Sequence, residues 1–416
     1  MGPVVEAGGF STGQVVPGNL LAERPGRGIL VVAPQPFYQD RGTPIALRQV
    51  LEALSELDYR VDVLTFPVGQ NVELPGLRIF RTDNPFRFSH VPVGLSARKL
   101  LLDLSLIRAL RERLRSGRYT CVHALEEAAF PAAVLARRHG VPFVYDMQSS
   151  LPEQLQQKWP FSMTPIRQLL DAAERWLLAR ADFVVSSAGL AGRVVRIAPK
   201  TRVREWCFPS HAGPADPTRA VALRDEMGIG REAPVVLYSG TFESYQGLTE
   251  LIQAVPQVLA HAPDAMFVLV GGDRSNGFGS NATVVPLLES GRLRLIDRQP
   301  RAAIPAYHAM ADVLVSPRAH GGNLPLKVFD YLAAGRPIVA TDIPTHRTVL
   351  TDERAVLVAP ESQALAEGIL SVLEQPERAE RLARAASRYA REHLGWDAFV
   401  HSVGEIYEEV HSLAAR

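Results

Sequence analysis

The chain has 416 residues, of which 47% are hydrophobic and 21% charged, and its formal net charge is +1. This composition is typical of a water-soluble globular protein with room for two domains. The near-zero charge excludes a global electrostatic attraction to nucleic acid or to an anionic membrane, so any such partner needs a local basic patch.

The cysteines and the N-terminal segment indicate a cytoplasmic location. Cys121 and Cys207 show neither metal-ligand spacing nor a disulfide framework, which fits a reducing compartment. Residues 1–28 lack the basic start and continuous apolar core of a signal peptide, and we expect a flexible tail there. No apolar run reaches the roughly 18 residues that a membrane span needs.

Short apolar segments in both halves of the chain predict strands, with helical patterns between most of them. The predicted strands are 29–34, 59–66, 77–81, 120–125, 142–147 and 182–188 in the first half, and 234–240, 265–272, 293–298, 312–318, 337–341 and 355–360 in the second. Strands that alternate with helices indicate parallel sheets covered on both faces.

The predicted fold is therefore α/β, with two Rossmann-like doubly wound domains in tandem. We place the first domain at 29–208 and the second at 209–395, followed by a C-terminal helix, 396–416, that packs back on the first domain. Ligands of such domains bind beyond the carboxyl ends of the strands. The loops that directly follow strands are therefore the candidate sites.

The first such loop, RGTP at 41–44, places Gly42 before a helix that a proline initiates. A glycine there allows close approach of a ligand to the backbone. The alternative is a plain turn between a strand and a helix.

The stretch 97–119 carries seven basic and two acidic residues. On a helix, Arg108, Arg111 and Arg115 share one face. Such a helix contacts either solvent alone or an anionic membrane surface at the inner membrane face, and both interpretations stay open.

Two further loops of the first half carry candidate residues. His123 and Glu126 stand at the end of the strand at 120–125, and Asp146 and Gln148 end the next one. We expect Asp146 and Gln148 to point toward the cleft between the domains. Alternatively, Glu126 only favours the N-terminus of the following helix.

Three loops of the second half could face the same cleft: 238–247, 270–273 and 316–327. Gly240 and Thr241 close a strand in the first of them, and Gly272 lies at the end of another strand. The third loop leads into a helix.

That helix is predicted to begin at Pro325 and to end at Gly335, a length of about ten residues. Its open N-terminus could bind phosphate, with Lys327 as counterion. Asp330 lies about 7.5 Å further along the axis, which suits the ribose hydroxyls of a nucleotide diphosphate. Alternatively, Lys327 is solvated, Asp330 pairs with Arg336 or the helix dipole, and the glycine pair at 321–322 is only a turn.

Lysine is rare in this chain. Of the 45 lysine and arginine residues, only four are lysines, at positions 99, 158, 200 and 327. A chain that strongly prefers arginine nevertheless has a lysine in this loop, which strengthens its candidacy.

Several common motifs are missing. The glycine pattern at 228–233 precedes a strand, whereas a dinucleotide-binding loop must follow one. The chain has no G-x-x-x-x-G-K-[ST], no G-x-S-x-G and no Asp-x-Asp pair for a divalent cation. We therefore predict no cofactor and no metal, and protein groups must neutralise any bound diphosphate.

Taken together, these segments resemble the family 4 glycosyltransferases, retaining enzymes of the GT-B fold that use a nucleotide sugar without a metal ion. The resemblance covers about residues 29–410. It is carried by RGTPIALRQVLEAL, YSGTFESYQGLTELI, VGGD, SPRAHGGNLPLKVFDYLAAGRPIVATDIP and GWDAFVHSVGEIY. It implies a donor site in the second domain and an acceptor site in the first.

The chain departs from the family pattern at the donor sugar. The family has two glutamates eight positions apart, the first near the sugar and the second on the ribose. The second corresponds to Asp330, a conservative change, whereas the first corresponds to Gly322. A histidine that the family often has near Gln148 is also absent.

The chain also departs at the diphosphate. The arginine and lysine of the family correspond to Thr241 and Gln246. Lys327 stands where the family has an apolar residue, so it could replace part of the missing charge, with Arg318 as a second candidate.

The leading prediction is an active hexosyltransferase-type enzyme with a glycan, lipid-linked or small-molecule acceptor. The predicted catalytic residues are Glu126, Asp146 and Lys327, and the predicted acceptor-binding residues are His123 and Gln148. The predicted donor-binding residues are Gly42, Gly240, Thr241, Gly272, Arg318, Asn323, Leu324, Leu326, Lys327 and Asp330.

Two alternatives stay open. The first is a catalytically weakened protein that binds a nucleotide sugar or a partner glycosyltransferase. The second is another GT-B activity, such as phosphorolysis or epimerisation.

Overall fold

The computed structural model describes residues 28–39, 42–84, 87–88, 91, 97–117, 119–155, 163–210, 217–272 and 277–414. The predicted tail before Gly28 lies outside these residues. So do Arg41 of the first candidate loop and Asp273 of the loop after 265–272.

Seven parallel strands form the first sheet. They are β1 (Gly28–Ala33), β2 (Arg60–Thr65), β3 (Leu77–Arg81), β4 (Cys121–Leu125), β5 (Phe143–Met147), β6 (Phe183–Ser187) and β7 (Arg202–Trp206). Their spatial order is β3-β2-β1-β4-β5-β6-β7. The strand order reverses between β1 and β4, which is the switch point of this doubly wound sheet.

Six parallel strands form the second sheet. They are β8 (Val235–Ser239), β9 (Met266–Gly272), β10 (Leu293–Asp297), β11 (Val313–Ser316), β12 (Ile338–Thr341) and β13 (Val356–Val358). Their spatial order is β10-β9-β8-β11-β12-β13, so the second switch point lies between β8 and β11.

Helices connect and cover these strands. Within the described ranges they are α1 (Gly42–Glu56), α2 (Ala97–Leu114), α3 (Ala129–Arg138), α4 (Leu151–Leu155), α5 (Thr164–Leu178), α6 (Ala191–Ile197), α7 (Pro217–Glu226), α8 (Leu248–His261), α9 (Val285–Glu289), α10 (Ile304–Met310), α11 (Lys327–Ala333), α12 (Ser362–Leu373), α13 (Pro376–His393) and α14 (Trp396–Ala414). In the part of the chain that the structure describes, no helix is long and apolar enough to cross a bilayer.

The strands around both switch points are buried along their whole length. Every residue of β1, β4, β5 and β6 in the first sheet is buried, and so is every residue of β8, β11 and β12 in the second. Continuous apolar strands of this kind are what a parallel sheet covered on both faces requires. The predicted fold class, two doubly wound domains, is confirmed.

Strand β7 was not predicted. Its sequence, RVREW, alternates exposed and partly buried residues, and it lies at the edge of the first sheet beside β6. An edge strand next to solvent has no continuous apolar run, so a search for such runs passes over it.

Helix α14 lies against the first domain, although it follows the second domain in the chain. Trp396 donates a hydrogen bond through Nε1 to Glu56 of α1 at 2.8 Å. The ring of Phe399 packs 5.9 Å from that of Trp206, measured between centroids. Further along α14, Tyr407 and Glu409 form polar contacts with the first sheet.

Candidate active site

The loops at the second switch point touch each other through their backbones. Gly247, in the loop after β8, has a φ of +74°, and a Cβ on it would lie 1.8 Å from the carbonyl oxygen of Pro317, which directly follows β11. Only glycine allows this contact. The two candidate loops of the second domain are therefore held together as one surface.

The loop after β9 joins the same surface. The N–H of Gly240 donates to the carbonyl of Val270 at 2.8 Å, and a Cβ on Gly271 would lie 2.8 Å from the carbonyl oxygen of Gly240. The ring of Phe242 occupies the space that a Cβ on Gly272 would need, at 2.3 Å. Two of the predicted donor residues, Gly240 and Gly272, thus lie on adjoining loops.

Lys327 extends from the start of α11 to the loop after β8. Its ammonium donates a hydrogen bond to Oε1 of Gln246 at 3.1 Å and lies 3.8 Å from the ring centroid of Tyr238, a cation–π contact. A Cβ on Gly240 would lie 3.3 Å from Nζ. The ring is fixed in turn, because the Tyr238 hydroxyl donates to the carbonyl of Thr241 at 2.6 Å.

The environment of Lys327 disfavours its charge. The residue as a whole is partly exposed, but its ammonium end is surrounded by protein. This burial, followed by the positive charge of Arg318, holds the pKa of Lys327 well below its usual value. The interpretation of Lys327 as an ordinary solvated lysine is therefore wrong.

Arg318 serves the architecture of its own loop. Its side chain is 5% exposed, and it donates to the carbonyl of His320 at 2.7 Å and to Oδ1 of Asn323 at 3.0 Å. Gly321 has a φ of +135°, and a Cβ on it would lie 1.8 Å from the guanidinium, so the loop folds tightly around Arg318. The N–H groups of Arg318 donate hydrogen bonds within the loop, and its positive charge lies near Lys327.

The helix after this loop is shorter than predicted. It runs over seven residues from Lys327, with Leu326 as its N-cap, so the expected ten-residue helix from Pro325 is wrong. The N–H groups of Val328 and Phe329 donate to the carbonyls of Pro325 and Leu326 at 3.0 and 3.1 Å. These i to i+3 bonds form a tight turn ahead of the helix.

Asp330 lies on α11 near the crossover between the two domains. Ser210, in the segment after β7, donates to its Oδ1 at 3.2 Å, and the guanidinium of Arg301 lies 3.9 Å from Oδ2. Arg336, which the sequence offered as an alternative partner, instead donates to the carbonyl of Ala309. The carboxylate of Asp330 is only 16% exposed.

The loop before α11 meets the first domain at several points. Asn323 donates through Nδ2 to the carbonyl of Gln148 at 3.1 Å, and the N–H of Leu324 donates to the carbonyl of Ala188 at 3.0 Å. Two predicted donor residues thus form bridges across the cleft. Gln148 takes part through its backbone.

The side chains of His123 and Asp146 do not face the cleft. Both are fully buried, with Nε2 of His123 3.1 Å from Oδ2 of Asp146, and the hydroxyl of Tyr407 on α14 lies 2.7 Å from Nδ1 of His123. This arrangement corrects the expectation that Asp146 points into the cleft. Tyr407 encloses His123, whereas His123, Gln148 and Trp206 enclose Asp146, so a substrate cannot reach either group.

The side chain of Gln148 belongs to the same buried network. Its Nε2 donates to Oδ1 of Asp146 at 2.6 Å, its Oε1 accepts from the hydroxyl of Ser187 at 3.1 Å, and the residue is 7% exposed. The expectation that its side chain points toward the cleft is also corrected. Only its carbonyl reaches the facing domain.

Glu126 stands at the first switch point, directly after β4. It begins a 3₁₀ turn, Glu126–Ala128, that precedes α3, and its φ is +47°. A positive φ is a strained conformation for a residue with a side chain and is often associated with functional sites.

Lys99 at the start of α2 forms an ion pair with Glu127. Burial lowers the pKa of Lys99, but the charges of Glu127 and Glu126 outweigh it and raise that pKa above its usual value.

Gly42 is the first residue of α1, at the same switch point. A Cβ on Gly42 would meet no atom within 4 Å, and the residue is exposed. The fold itself therefore does not require glycine here. Open space in front of its backbone is compatible with the predicted contact with a ligand.

Some residues of this site were missed at the level of sequence. Tyr238 lies inside a predicted strand, and the two-residue period of strands would have placed it on the same face as Gly240. Ser210 and Glu153 gave no local signal. Their importance comes from contacts with Asp330 and Gly322, which lie far along the chain.

Two doubly wound domains, with the loop after β11 of the second in contact with the loops after β5 and β6 of the first, are the architecture of a GT-B glycosyltransferase. Two family models match the chain in tandem. The model described as "Glycosyl transferase 4-like domain" matches residues 41–204, and the model described as "Glycosyl transferases group 1" matches residues 222–389. The chain belongs to the family 4 type of glycosyltransferases.

Individual relatives agree with this assignment. The chain is 24% identical to the phosphatidyl-myo-inositol mannosyltransferase of Mycolicibacterium smegmatis over 385 residues, which are 91% of this chain and 93% of that protein. Among solved structures, it resembles sucrose-phosphate synthase from Thermosynechococcus elongatus with a TM-score of 0.76 at 19% identity, covering 93% and 100% of the two chains.

The structure also resembles HepE of Anabaena in complex with UDP-glucose. The TM-score is 0.71 at 17% identity, covering 92% of this chain and 99% of that chain. These similarities confirm the predicted GT-B fold.

Proposed function

We propose that this glycosyltransferase moves a sugar from a nucleotide-diphosphate sugar to an acceptor hydroxyl, with retention of configuration and without a metal ion. The observation that carries the proposal is the position of the Lys327 ammonium, next to Gly240 at the switch point and bonded to Gln246. The complex of the structurally similar HepE with UDP-glucose supports a nucleotide-sugar donor.

The chemistry of the donor explains why this ammonium matters. As the bond between the sugar and the diphosphate breaks, the leaving diphosphate gains negative charge, and a fixed cation beside it stabilises the transition state. The family resemblance implies a lysine at the position of Gln246, and here the Gln246 side chain accepts a hydrogen bond from the ammonium of Lys327. The ammonium of Lys327 thus lies beside residue 246 but comes from another element.

The other donor contacts follow from the same geometry. The carboxylate of Asp330 binds the ribose hydroxyls. Its hydrogen bond with Ser210 is replaced by hydrogen bonds from these hydroxyls when the nucleotide binds. The glycine backbones of the loops after β8 and β9 lie against the diphosphate. The leaving phosphate assists the incoming hydroxyl, so retention demands no protein base.

We propose that the acceptor enters at the first switch point, where Glu126 directly follows β4 and Gly42 begins α1, the helix after β1. Glu126 orients the acceptor hydroxyl. Among the candidate acceptors we include phosphatidylinositol, because the mycobacterial relative is named for it.

Retention of configuration is tested by NMR of the anomeric proton of the product. Metal independence is tested by measuring activity in excess EDTA.

The central test removes the ammonium. Lys327→Met keeps the length of the side chain and should weaken binding of a nucleoside diphosphate about 10- to 100-fold, because a charge-assisted contact with phosphate is lost. Binding of the corresponding nucleoside should change little. Isothermal titration with a panel of UDP, GDP, ADP, CDP and dTDP measures both effects.

A rescue variant and a matched control sharpen this test. Gln246→Lys in the Lys327→Met background returns the ammonium to the same place and should recover most of the affinity. Lys200→Met removes an exposed lysine of the first domain and should have no effect. Equal losses for nucleoside and nucleoside diphosphate would contradict the phosphate role.

A second candidate function is supported by one observation. Thr241 and Gln246 stand where the family has an arginine and a lysine, so a protein that binds a nucleotide sugar without turning it over is the alternative. Turnover separates the two functions. Nucleotide-sugar binding with neither hydrolysis nor transfer to any acceptor would favour the binder.

We also propose a peripheral contact of α2 with an anionic membrane surface. Leu100, Leu101 and Leu104 are 60%, 42% and 65% exposed, and Arg108 and Arg111 follow on the same helix. Exposed leucines followed by arginines are the pattern of a helix that lies in a lipid interface. Arg115, which was expected on this face, lies beyond the end of the helix at Leu114.

A further inference from the structure

The space beside the backbone of Gly322 is occupied by a side chain of the other domain. Its φ lies outside the left-handed region, so its backbone accepts any residue. A Cβ on it, however, would lie 2.1 Å from Oε2 of Glu153. Glu153 belongs to α4 of the first domain, whereas Gly322 belongs to the loop before α11 of the second. The carboxylate therefore crosses the cleft.

The other oxygen of this carboxylate is fixed. Nη1 of Arg193 on α6 donates to Oε1 of Glu153 at 3.1 Å. The backbone N–H of Glu153 also lies 3.5 Å from the hydroxyl of Ser150, at the start of α4. Oε2 is thereby oriented toward the second domain.

Arg193 cannot neutralise Glu153 completely, because it also binds a second carboxylate. It donates to Oε2 of Glu174 through Nε at 2.9 Å and through Nη2 at 2.6 Å, and Glu174 is 3% exposed. Asp171 lies 3.9 Å from the same guanidinium. Asp171 also lies 4.0 Å from Arg167, so Glu153, Glu174 and Asp171 share two arginines, and Glu153 holds only part of the charge of Arg193.

We propose that Glu153 binds the hydroxyl groups of the transferred sugar. A carboxylate accepts hydrogen bonds from sugar hydroxyls, and charge makes such bonds stronger than those of neutral acceptors. Glu153 lies against position 322, where relatives place a glutamate near the sugar, so the first domain supplies the carboxylate that the loop lacks. This inference rests on the proposed function.

The proposed donor site is built from residues of both domains. Lys327 and the glycine loops come from the second domain, and Glu153 comes from the first. The contacts from Asn323 to Gln148 and from Leu324 to Ala188 join the domains on the same loop. The sugar-binding half of the donor site is therefore complete only when the domains are in contact.

The test compares a nucleotide with and without its sugar. UDP and UDP-glucose, or GDP and GDP-mannose, are used according to which pair the wild-type protein binds in the panel. Glu153→Ala and Glu153→Gln should lower kcat/KM for the nucleotide sugar about 10- to 100-fold. The Kd of the nucleoside diphosphate should change less than about twofold. Glu52→Gln, which alters an ion-paired glutamate on α1, is the control and should change neither value.

A swap of the carboxylate between the domains gives an independent result. Gly322→Glu alone should lower kcat/KM, because it brings a second negative charge against the carboxylate of Glu153. Combined with Glu153→Ala it should recover at least about tenfold in kcat/KM over either single variant. Thermal unfolding of each variant separates this effect from loss of the fold, and Glu153→Gln serves if the alanine variant unfolds.

The outcomes distinguish this inference from the proposed function. If Glu153 variants lose nucleoside diphosphate and nucleotide sugar equally, or lose neither, the sugar contact is refuted while the proposed function stands. An inactive double variant with both single variants folded also refutes it. A wild-type protein that binds no nucleotide at all would refute both proposals.

Discussion

At the scale of single residues, the donor site depends on where one ammonium lies. The resemblance places a family lysine at the position of Gln246, and here the Nζ of Lys327, from another element, reaches the Gln246 side chain. The ammonium is buried beside the ring of Tyr238 and near Arg318. This environment lowers the pKa of Lys327. A bound anion favours the charged form of such a group.

This lowered pKa predicts that donor binding takes up a proton. In the unliganded protein Lys327 loses its proton at a pH well below the usual lysine range. A bound diphosphate favours the charged form and raises the pKa again. Between these two pKa values, affinity should therefore fall as pH rises, by at most about tenfold per pH unit, and below the lower value it should not depend on pH.

Titration of a nucleotide sugar in two buffers with different ionisation enthalpies measures the proton uptake. Its diphosphate is a diester and does not titrate near neutral pH, so the uptake reports on the protein. Lys327→Met should abolish it. The idea is contradicted if the wild-type protein shows no difference between the buffers across this pH window.

At the scale of elements, α2 differs from the other helices that cover the first sheet. Its buried residues Leu102, Leu106, Leu110 and Leu114 recur every four residues and pack on the sheet. The opposite side of its N-terminal half exposes further leucines instead of polar residues. An exposed apolar patch beside arginines is a feature of interaction surfaces.

We expect Leu100→Gln/Leu104→Gln to reduce binding to vesicles rich in phosphatidylglycerol by about tenfold or more, because two leucines no longer enter the lipid interface. Both side chains are exposed, so the stability of the fold should not change. Cosedimentation with the vesicles measures the effect, and high salt should weaken wild-type binding.

Val221→Gln is the control, since Val221 is 50% exposed on α7 of the second domain. The electrostatic contact would be refuted if the wild-type protein did not bind anionic vesicles, or if it bound phosphatidylcholine vesicles equally well. The leucines would then belong to a solvated face.

At the scale of the whole molecule, the chain ties its two domains together by returning to the first one. Helix α14 packs on α1 and reaches β4 and β5 through Tyr407, whose hydroxyl meets His123, which in turn pairs with Asp146. Arg202 of β7 also donates to Glu409 at 3.0 Å. His123 and Asp146 therefore join the C-terminal helix to the sheet.

Tyr407→Phe should lower the free energy of unfolding by about 1–3 kcal/mol, because it leaves a buried nitrogen of His123 without its partner. Urea denaturation measures this change. The KM for the acceptor should stay the same, because the group is buried. Tyr389→Phe, a partly buried tyrosine on α13 that packs under Arg354, is the control and should cost less than about 0.5 kcal/mol. A large change in acceptor KM with unchanged stability would restore the acceptor role that the sequence suggested for His123.

Much of the architecture can be read from local sequence. Continuous apolar runs identified every strand except β7, and the alternation with helices predicted two doubly wound domains with candidate sites in the loops after strands. The scarcity of lysine drew attention to Lys327. These features depend on residues that are neighbours in the chain, where the periods of strands and helices are visible.

The directions of the side chains were decided by tertiary structure alone. His123 and Asp146 lie inside β4 and β5, and Tyr407 of α14, which comes almost at the end of the chain, covers His123, which pairs with Asp146. The space at Gly322 belongs to Glu153, and the Lys327 ammonium is placed by contacts with other elements. Such contacts join residues far apart in sequence, and no local period records them, so only the packed structure determines which groups reach the cleft.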